Sequence, residues 1–262
     1  RTCPEEYLVD NVAAHALHAL GTRLPLPRSF HSVARANGVS LPRGVLAGLT
    51  ADLNLIATAP HLLPGWLRMP EGHRVVGPVY ARLPGELPEF LADLAAGPQP
   101  LVYFTMGSSG NRDLVLAVLA GLSRADCQVL APVRTHLREE DLETLPRNVH
   151  VTDWLPAHAL GGAVDLAITH GGEGTVQTSC VQGWPFIGIP LQLEQRFNVQ
   201  RCVAFGSARL VSRREARRAD WAELVRQALA DGGMRSRARR MAGLMEGLDG
   251  PGRAAEAICE LL

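Results

Sequence analysis

Three patterns follow one another without a spacer between residues 165 and 181. Asp165-Leu166-Ala167-Ile168-Thr169 is a mostly apolar run. His170-Gly171-Gly172-Glu173-Gly174-Thr175 is a glycine-rich turn, and Val176-Gln177-Thr178-Ser179-Cys180-Val181 reads as helix. A short apolar run of this kind suits a strand covered on both faces, as in a parallel sheet. A glycine-rich turn leading straight into a helix exposes backbone N–H groups at the positive end of the helix dipole. That is a place to hold phosphate. His170 and Thr175 add side-chain donors beside it, so a phosphorylated ligand is expected.

The rest of the second half repeats the alternation. Strands are expected at 101–106, 127–131, 149–152, 166–169, 186–189 and 208–211, with helices at 113–122 and 195–205 among them. The pattern predicts an α/β fold, a Rossmann-like parallel sheet with helices on both faces. Right-handed crossovers then bring the loops after the strands to one edge, where ligands bind. Helices follow at 221–230, 234–248 and, after Gly250-Pro251-Gly252, at 253–262.

The first eighty residues read differently. A helix is expected at 6–20 and a strand at 53–57, but prolines interrupt most of what lies between and after them. Residues 1–82 are read as the C-terminal remnant of a partial N-terminal α/β domain. Residues 83–100, rich in proline and glycine around a short helix at 89–95, are read as a linker. Residues 101–262 are read as the ligand-binding domain. The chain starts at Arg1 with no strand-turn-helix opening, so a missing N-terminal portion or a separate partner chain is expected.

Composition excludes several classes. The 262 residues balance 26 basic against 26 acidic side chains, which argues against a general nucleic-acid binder. No apolar run is long enough to span a membrane, and no signal peptide is expected from the first residues. Cys3, Cys127, Cys180, Cys202 and Cys259 have neither metal-ligand nor redox spacing. They are read as buried free thiols in a reducing cytoplasm.

Four segments at expected strand ends carry the chemistry. Gly107 and Ser108, in Met106-Gly107-Ser108-Ser109, can donate to phosphate oxygens, although most such turns are only turns. Trp154, in Asp153-Trp154-Leu155-Pro156, can stack on a flat base or pack beneath a loop. His170 precedes the glycine-rich turn. Glu194 and Gln195 pair a carboxylate with a carboxamide that suits vicinal hydroxyls, though an acidic residue also suits an ordinary helix start. Together they describe a ligand with a base, a diphosphate and a polyol, which is a nucleotide sugar.

The linear order Trp154-Leu155-Pro156, the His170 to Thr175 turn, Gly183-Trp184-Pro185 and Glu194-Gln195 resembles the signature of the family 1 glycosyltransferases of GT-B fold. That family includes UDP-glycosyltransferases and bacterial antibiotic and macrolide glycosyltransferases. The resemblance runs from about Leu101 to Leu262, and more weakly back to Leu53 through Val75-Val76-Gly77-Pro78. It implies that Trp154 stacks on the base, that the backbone near Ala157 meets the base edge and that Thr178 lies at the ribose. It further implies that Gly107, Ser108, His170, Gly172, Gly174 and Thr175 hold the phosphates, and that Glu194 and Gln195 hold sugar hydroxyls. Thr178 resembles bacterial members that use dTDP-deoxysugars, whereas many members have glutamate there. Ala157 stands where plant members have glutamine, and Glu194 replaces the commoner aspartate.

The implied reaction is an inverting transfer of sugar from a UDP- or dTDP-sugar to a hydroxyl of a small hydrophobic acceptor. It needs no metal and no further cofactor; no Asp-x-Asp motif is present. The family's general base is a histidine near the start of its N-terminal domain, expected upstream of Arg1, and His15, His18, His31 and His61 sit in no strand-turn context. Two other readings stay open. One is a non-catalytic or split nucleotide-sugar-binding subunit that needs a partner chain for its acceptor half. The other is a sugar-nucleotide epimerase or lipid-linked transferase on the same fold.

Overall fold

The computed structural model describes residues 25–41, 44, 51–65, 69–79, 82 and 84–261. The expected helix at 6–20 lies outside them, as do His15, His18 and Cys3. The chain divides into two compact units. One comprises Arg1–Ile56, Arg68–Arg74 and Ala257–Leu262, the other Ala57–Leu67 and Val75–Glu256.

In the first unit, helix α1 (Arg28–Ala36) buries none of its residues. Pro25 and Pro27 are expected breakers, yet Pro27 immediately precedes this helix, where its lack of an N–H costs no bond. Strand β1 (Asn54–Ile56) falls within the expected 53–57 and pairs with β2 (His73–Val75), which was not expected. Arg74 and Glu260 form an ion pair within this unit.

The second unit contains a six-stranded sheet. Its strands are β3 (Leu101–Thr105), β4 (Gln128–Ala131), β5 (Val149–Val151), β6 (Leu166–Thr169), β7 (Phe186–Gly188) and β8 (Ala208–Leu210). Every pairing is parallel and the order is β5-β4-β3-β6-β7-β8. All six expected strands are present within a residue or two of their expected ends. The order reverses between β3 and β6. The loops after these two strands therefore leave toward opposite sides and open a crevice between them.

The helices follow as α2 (Phe90–Ala96), α3 (Arg112–Leu122), α4 (Glu139–Leu142), α5 (Glu173–Gln182) and α6 (Leu193–Phe205). Then come α7 (Arg213–Ala216), α8 (Trp221–Ala230), α9 (Gly232–Met245) and α10 (Gly250–Cys259). Side chains alternate across the strands. Val102, Phe104, Leu166 and Ile168 pack with Leu114, Val118, Leu122, Trp221 and Val225 on one face. Leu101, Tyr103 and Ala167 pack with Val176, Cys180, Val199, Cys202 and Met241 on the other. All five residues of β3 are buried, as a central parallel strand requires.

Helix ends depart from expectation for local reasons. Asp231 Oδ1 accepts the Met234 N–H at 2.9 Å and starts α9 two residues early. Helix α10 runs through Gly250-Pro251-Gly252 instead of starting after it. Asp249 Oδ1 accepts the Gly252 N–H at 2.9 Å, and Pro251 lies in the first turn, where its missing N–H leaves no bond unmade. Cys127, Cys180 and Cys202 are buried, but Cys259 is exposed. The expectation of buried thiols fails at Cys259, the last residue of α10, whose neighbours Ile258 and Glu260 are exposed as well.

Candidate functional site

At the crevice between β3 and β6, the ends of four adjacent strands enclose a cleft of about 550 Å³. Gly107 and Ser108 line it after β3, Arg134 and Thr135 after β4, Trp154 and Ala157 after β5, and Gly174, Thr175 and Thr178 on α5. Seven of the eleven residues singled out in the sequence thus face one space. Hollows of about 780 and 750 Å³ open elsewhere on the surface, but neither gathers the ends of the inner strands.

His170 does not itself line the cleft; it sits behind Gly107, which does, and is 7% exposed. Its imidazole fits between two glycines. A Cβ on Gly107 would stand 2.6 Å from His170 Cε1, and one on Gly172 2.4 Å from Nε2. Burial pushes the His170 pKa down to about 4, the nearby Thr105 backbone partly opposes this, and the proximity of His136 adds to it. At neutral pH His170 is therefore an uncharged imidazole, a hydrogen-bond donor rather than a cation. Nδ1 makes no hydrogen bond of good geometry with the protein.

The turn itself is closed by a hydroxyl relay. The Gly171 N–H donates to Thr169 Oγ1 at 3.3 Å, Thr169 Oγ1 donates to Thr175 Oγ1 at 2.9 Å, and Thr175 Oγ1 donates to the Gly172 carbonyl at 2.8 Å. The single hydroxyl proton of Thr175 is thus spent inside the turn. The donors that remain are the N–H groups at the start of α5; the first N–H drawn into the helix is that of Val176, bonded to the Gly172 carbonyl. Gly171 has φ of +84° and lies against Val199 and the Gln195 carbonyl, so only glycine fits there. Gly174 is different: a Cβ there would meet no protein atom.

The Trp154 loop is carried by β5 and tied to the far end of α5. Gln182 Nε2 donates to the His158 carbonyl at 2.8 Å and Trp184 Nε1 to the Gly161 carbonyl at 2.9 Å. Leu155 is buried beneath the loop, while Trp154 is 59% exposed. An apolar ring of that size left in water at a cleft mouth is available to stack.

Glu194 and Gln195 start α6 and do not line this cleft. Glu194 is exposed, and its carboxylate accepts from Asn198, whose Nδ2 also donates to the Gly171 carbonyl at 3.1 Å. Gln195 is only 3% exposed. Its Oε1 accepts the Leu191 N–H at 2.9 Å and its Nε2 donates to Ser109 Oγ at 3.0 Å. It therefore ties the segment after β7 to the turn after β3. Glu173 is backed in the same way by Gln177, which also donates to the Ala57 carbonyl at 2.9 Å. Burial raises the Glu173 pKa, hydrogen bonds from Gln177 and Thr58 oppose this, and the charge of Glu194 adds to it.

Sequence reasoning missed the wall after β4. Arg134 and Thr135 lie in the short turn that follows β4 at the same rim, so the alternation already placed them there. The Arg134 guanidinium pairs with Glu139 and donates to the Leu137 carbonyl at 3.3 Å. His136 Nε2 meets the Gly107 carbonyl at 2.7 Å and braces the β3 turn from behind.

Residues 116–261 match the model of the erythromycin biosynthesis protein CIII-like C-terminal domain. The chain belongs to this family. A PGL/p-HBAD biosynthesis glycosyltransferase from Mycobacterium tuberculosis is 31% identical over 193 residues, 73% of this chain and 44% of that protein. The 4'-demethylrebeccamycin synthase of Lentzea aerocolonigenes is 31% identical over 204 residues, 72% of this chain and 47% of that protein. The chain thus spans less than half the length of these relatives. Among solved structures, the calicheamicin glycosyltransferase CalG4 superposes with a TM-score of 0.69 at 23% identity, covering 94% of this chain and 62% of that one. The glycosyltransferase VinC, solved with dTDP, superposes with a TM-score of 0.65 at 18% identity, covering 87% and 56%. The fold of the family member is that of the GT-B glycosyltransferases. No helix among the described residues is long and apolar enough to cross a membrane.

Proposed function

We propose that this chain is the donor-binding part of a cytoplasmic glycosyltransferase that moves a sugar from a nucleoside-diphosphate sugar to a hydroxyl of a small hydrophobic acceptor. The observation that carries the reading is the convergence of Trp154, Ser108 and the start of α5 on one cleft at the sheet's switch point. The base stacks on Trp154, with the backbone at Ala157 along its edge and Thr178 at the ribose. The diphosphate lies across Gly107, Ser108, Gly172 and the amides of Gly174 and Thr175, with the His170 imidazole beneath it. Glu194, held by Asn198, accepts from sugar hydroxyls.

The reaction is inverting in this reading. The acceptor oxygen attacks the anomeric carbon, the bond to the β-phosphate oxygen breaks, and charge gathers on the departing diphosphate. Backbone amides at a helix N-terminus and a neutral imidazole donor stabilise that charge without a metal ion. In this reading the acceptor's proton goes to a general base in the sequence that these longer relatives have in addition to the matched stretch. Thr178, together with the dTDP and thymidine diphosphate complexes of VinC and the rhamnosyltransferase SpnG among the structural neighbours, favours a dTDP-sugar over a UDP-sugar.

The test is a donor-cleavage assay. The chain alone is expected to bind dTDP-sugars with little turnover. Sugar transfer is expected once an N-terminal half from a relative is supplied. Tight nucleotide binding that never leads to transfer with any such half supports a non-catalytic binding subunit instead.

A further inference from the structure

The segment that leads into α2 touches the nucleotide cleft at one point. A Cβ built on Gly85 would stand 2.9 Å from Cζ3 of Trp154 and 3.2 Å from Cδ of Pro156, closer than unbonded carbons approach, about 3.5–4.0 Å. Gly85 does not have a left-handed backbone, so its conformation is open to any residue. Space against Trp154 is what a larger residue would lack. The segment is stiffened by Pro84 and Pro88. It is also anchored, since Leu87 packs into the same apolar cluster as Leu155, the neighbour of Trp154.

We propose that Gly85 is a positioning residue for the nucleotide site: the 84–88 segment braces the Trp154 ring, and glycine at 85 lets that ring stand where a base of a nucleoside diphosphate can stack on it. The proposal rests on the reading of Trp154 as the base platform. The ring is 59% exposed and Gly85 lies directly against it, so the 84–88 segment sets the geometry of the nucleotide site.

The experiment is a calorimetric cycle with dTDP on the wild type, Gly85→Ala, Trp154→Ala and the double variant, each checked for an unchanged melting temperature. Stacking on an aromatic side chain carries a substantial share of base affinity, so partial loss through a tilted ring is expected as about 5-fold weaker binding in Gly85→Ala. Trp154→Ala is expected to weaken binding further, and adding Gly85→Ala to it is expected to cost nothing more. Trp154→Phe lacks the outer indole ring, so it is expected to restore affinity in the Gly85→Ala background to that of Trp154→Phe alone. If Trp154→Ala weakens binding while Gly85→Ala leaves it unchanged, the brace is wrong and the site reading stands. If Trp154→Ala itself changes nothing, both are wrong. Equal losses from Gly85→Ala with and without Trp154 also overturn the proposal.

Discussion

Gly172 leaves no room for any side chain because the Nε2 edge of His170 occupies it: an added Cβ would lie 2.4 Å from that nitrogen. The backbone of Gly172, φ −60° and ψ 146°, is one that alanine adopts freely. Gly172→Ala is therefore expected to act through the imidazole. Under the proposed function, loss of one preorganised donor costs about 10²-fold in rate, and steady-state sugar transfer measures it. Stability lost in Gly172→Ala should return in Gly172→Ala/His170→Ala, as urea unfolding would show; no recovery would place the clash elsewhere.

Gly174 separates folding from binding. No protein atom lies near its absent Cβ, and glycine inside a helix costs about 0.5–1 kcal/mol relative to alanine. Gly174→Ala should therefore raise the melting temperature slightly. In this account the space belongs to the diphosphate, so the same variant should bind dTDP at least ~10-fold more weakly, a loss of about 1.4 kcal/mol. A stabilised variant with full affinity would take Gly174 out of the site.

His170 gives the fold an acid limit. Its folded pKa of about 4 lies below the ordinary value of 6.5. The unfolded chain thus takes up a proton in a range where the folded chain does not. Stability from this group is complete above pH 6.5, falls as pH drops toward 4, and is constant below that. The full change is about 3 kcal/mol. Urea midpoints of wild type and His170→Gln across pH 4–7 should converge as pH falls; parallel curves would mean that His170 is not the titrating group.

Ser109 has a structural role next to a binding one. Its Oγ receives Gln195 Nε2 at 3.0 Å and holds the start of α6 to the β3 turn. Ser109→Ala leaves the buried amide of Gln195 without that acceptor, which costs about 1–3 kcal/mol. Ser108→Ala, one residue away and exposed, should leave stability unchanged and weaken nucleotide binding. Denaturant curves and dTDP titrations on the two variants separate the roles.

The sheet was legible because its strands are short apolar runs bounded by glycine and proline, and parallel pairing buries both faces, as β3 and β6 show. The rim followed from topology, so Trp154, Ser108 and Thr175 came together as the loop order required. What was not legible depends on contacts distant in sequence. The burial of Gln195 is decided by Ser109 and Leu191. The internal use of the Thr175 hydroxyl is decided by Thr169, and the reason for glycine at 85 is Trp154. Helix α1 was hidden by prolines that precede it, and α10 by a Gly-Pro-Gly that Asp249 caps.

The central claim is that a nucleoside diphosphate lies across the start of α5 and under Trp154. Backbone amide and indole NMR shifts followed during titration with dTDP test it most directly. The account predicts saturable movement of the Gly174 and Thr175 amides together with the Trp154 indole N–H. Shifts confined to residues 212–224, around the larger hollow beside α7 and α8, with α5 and Trp154 unmoved, would contradict it.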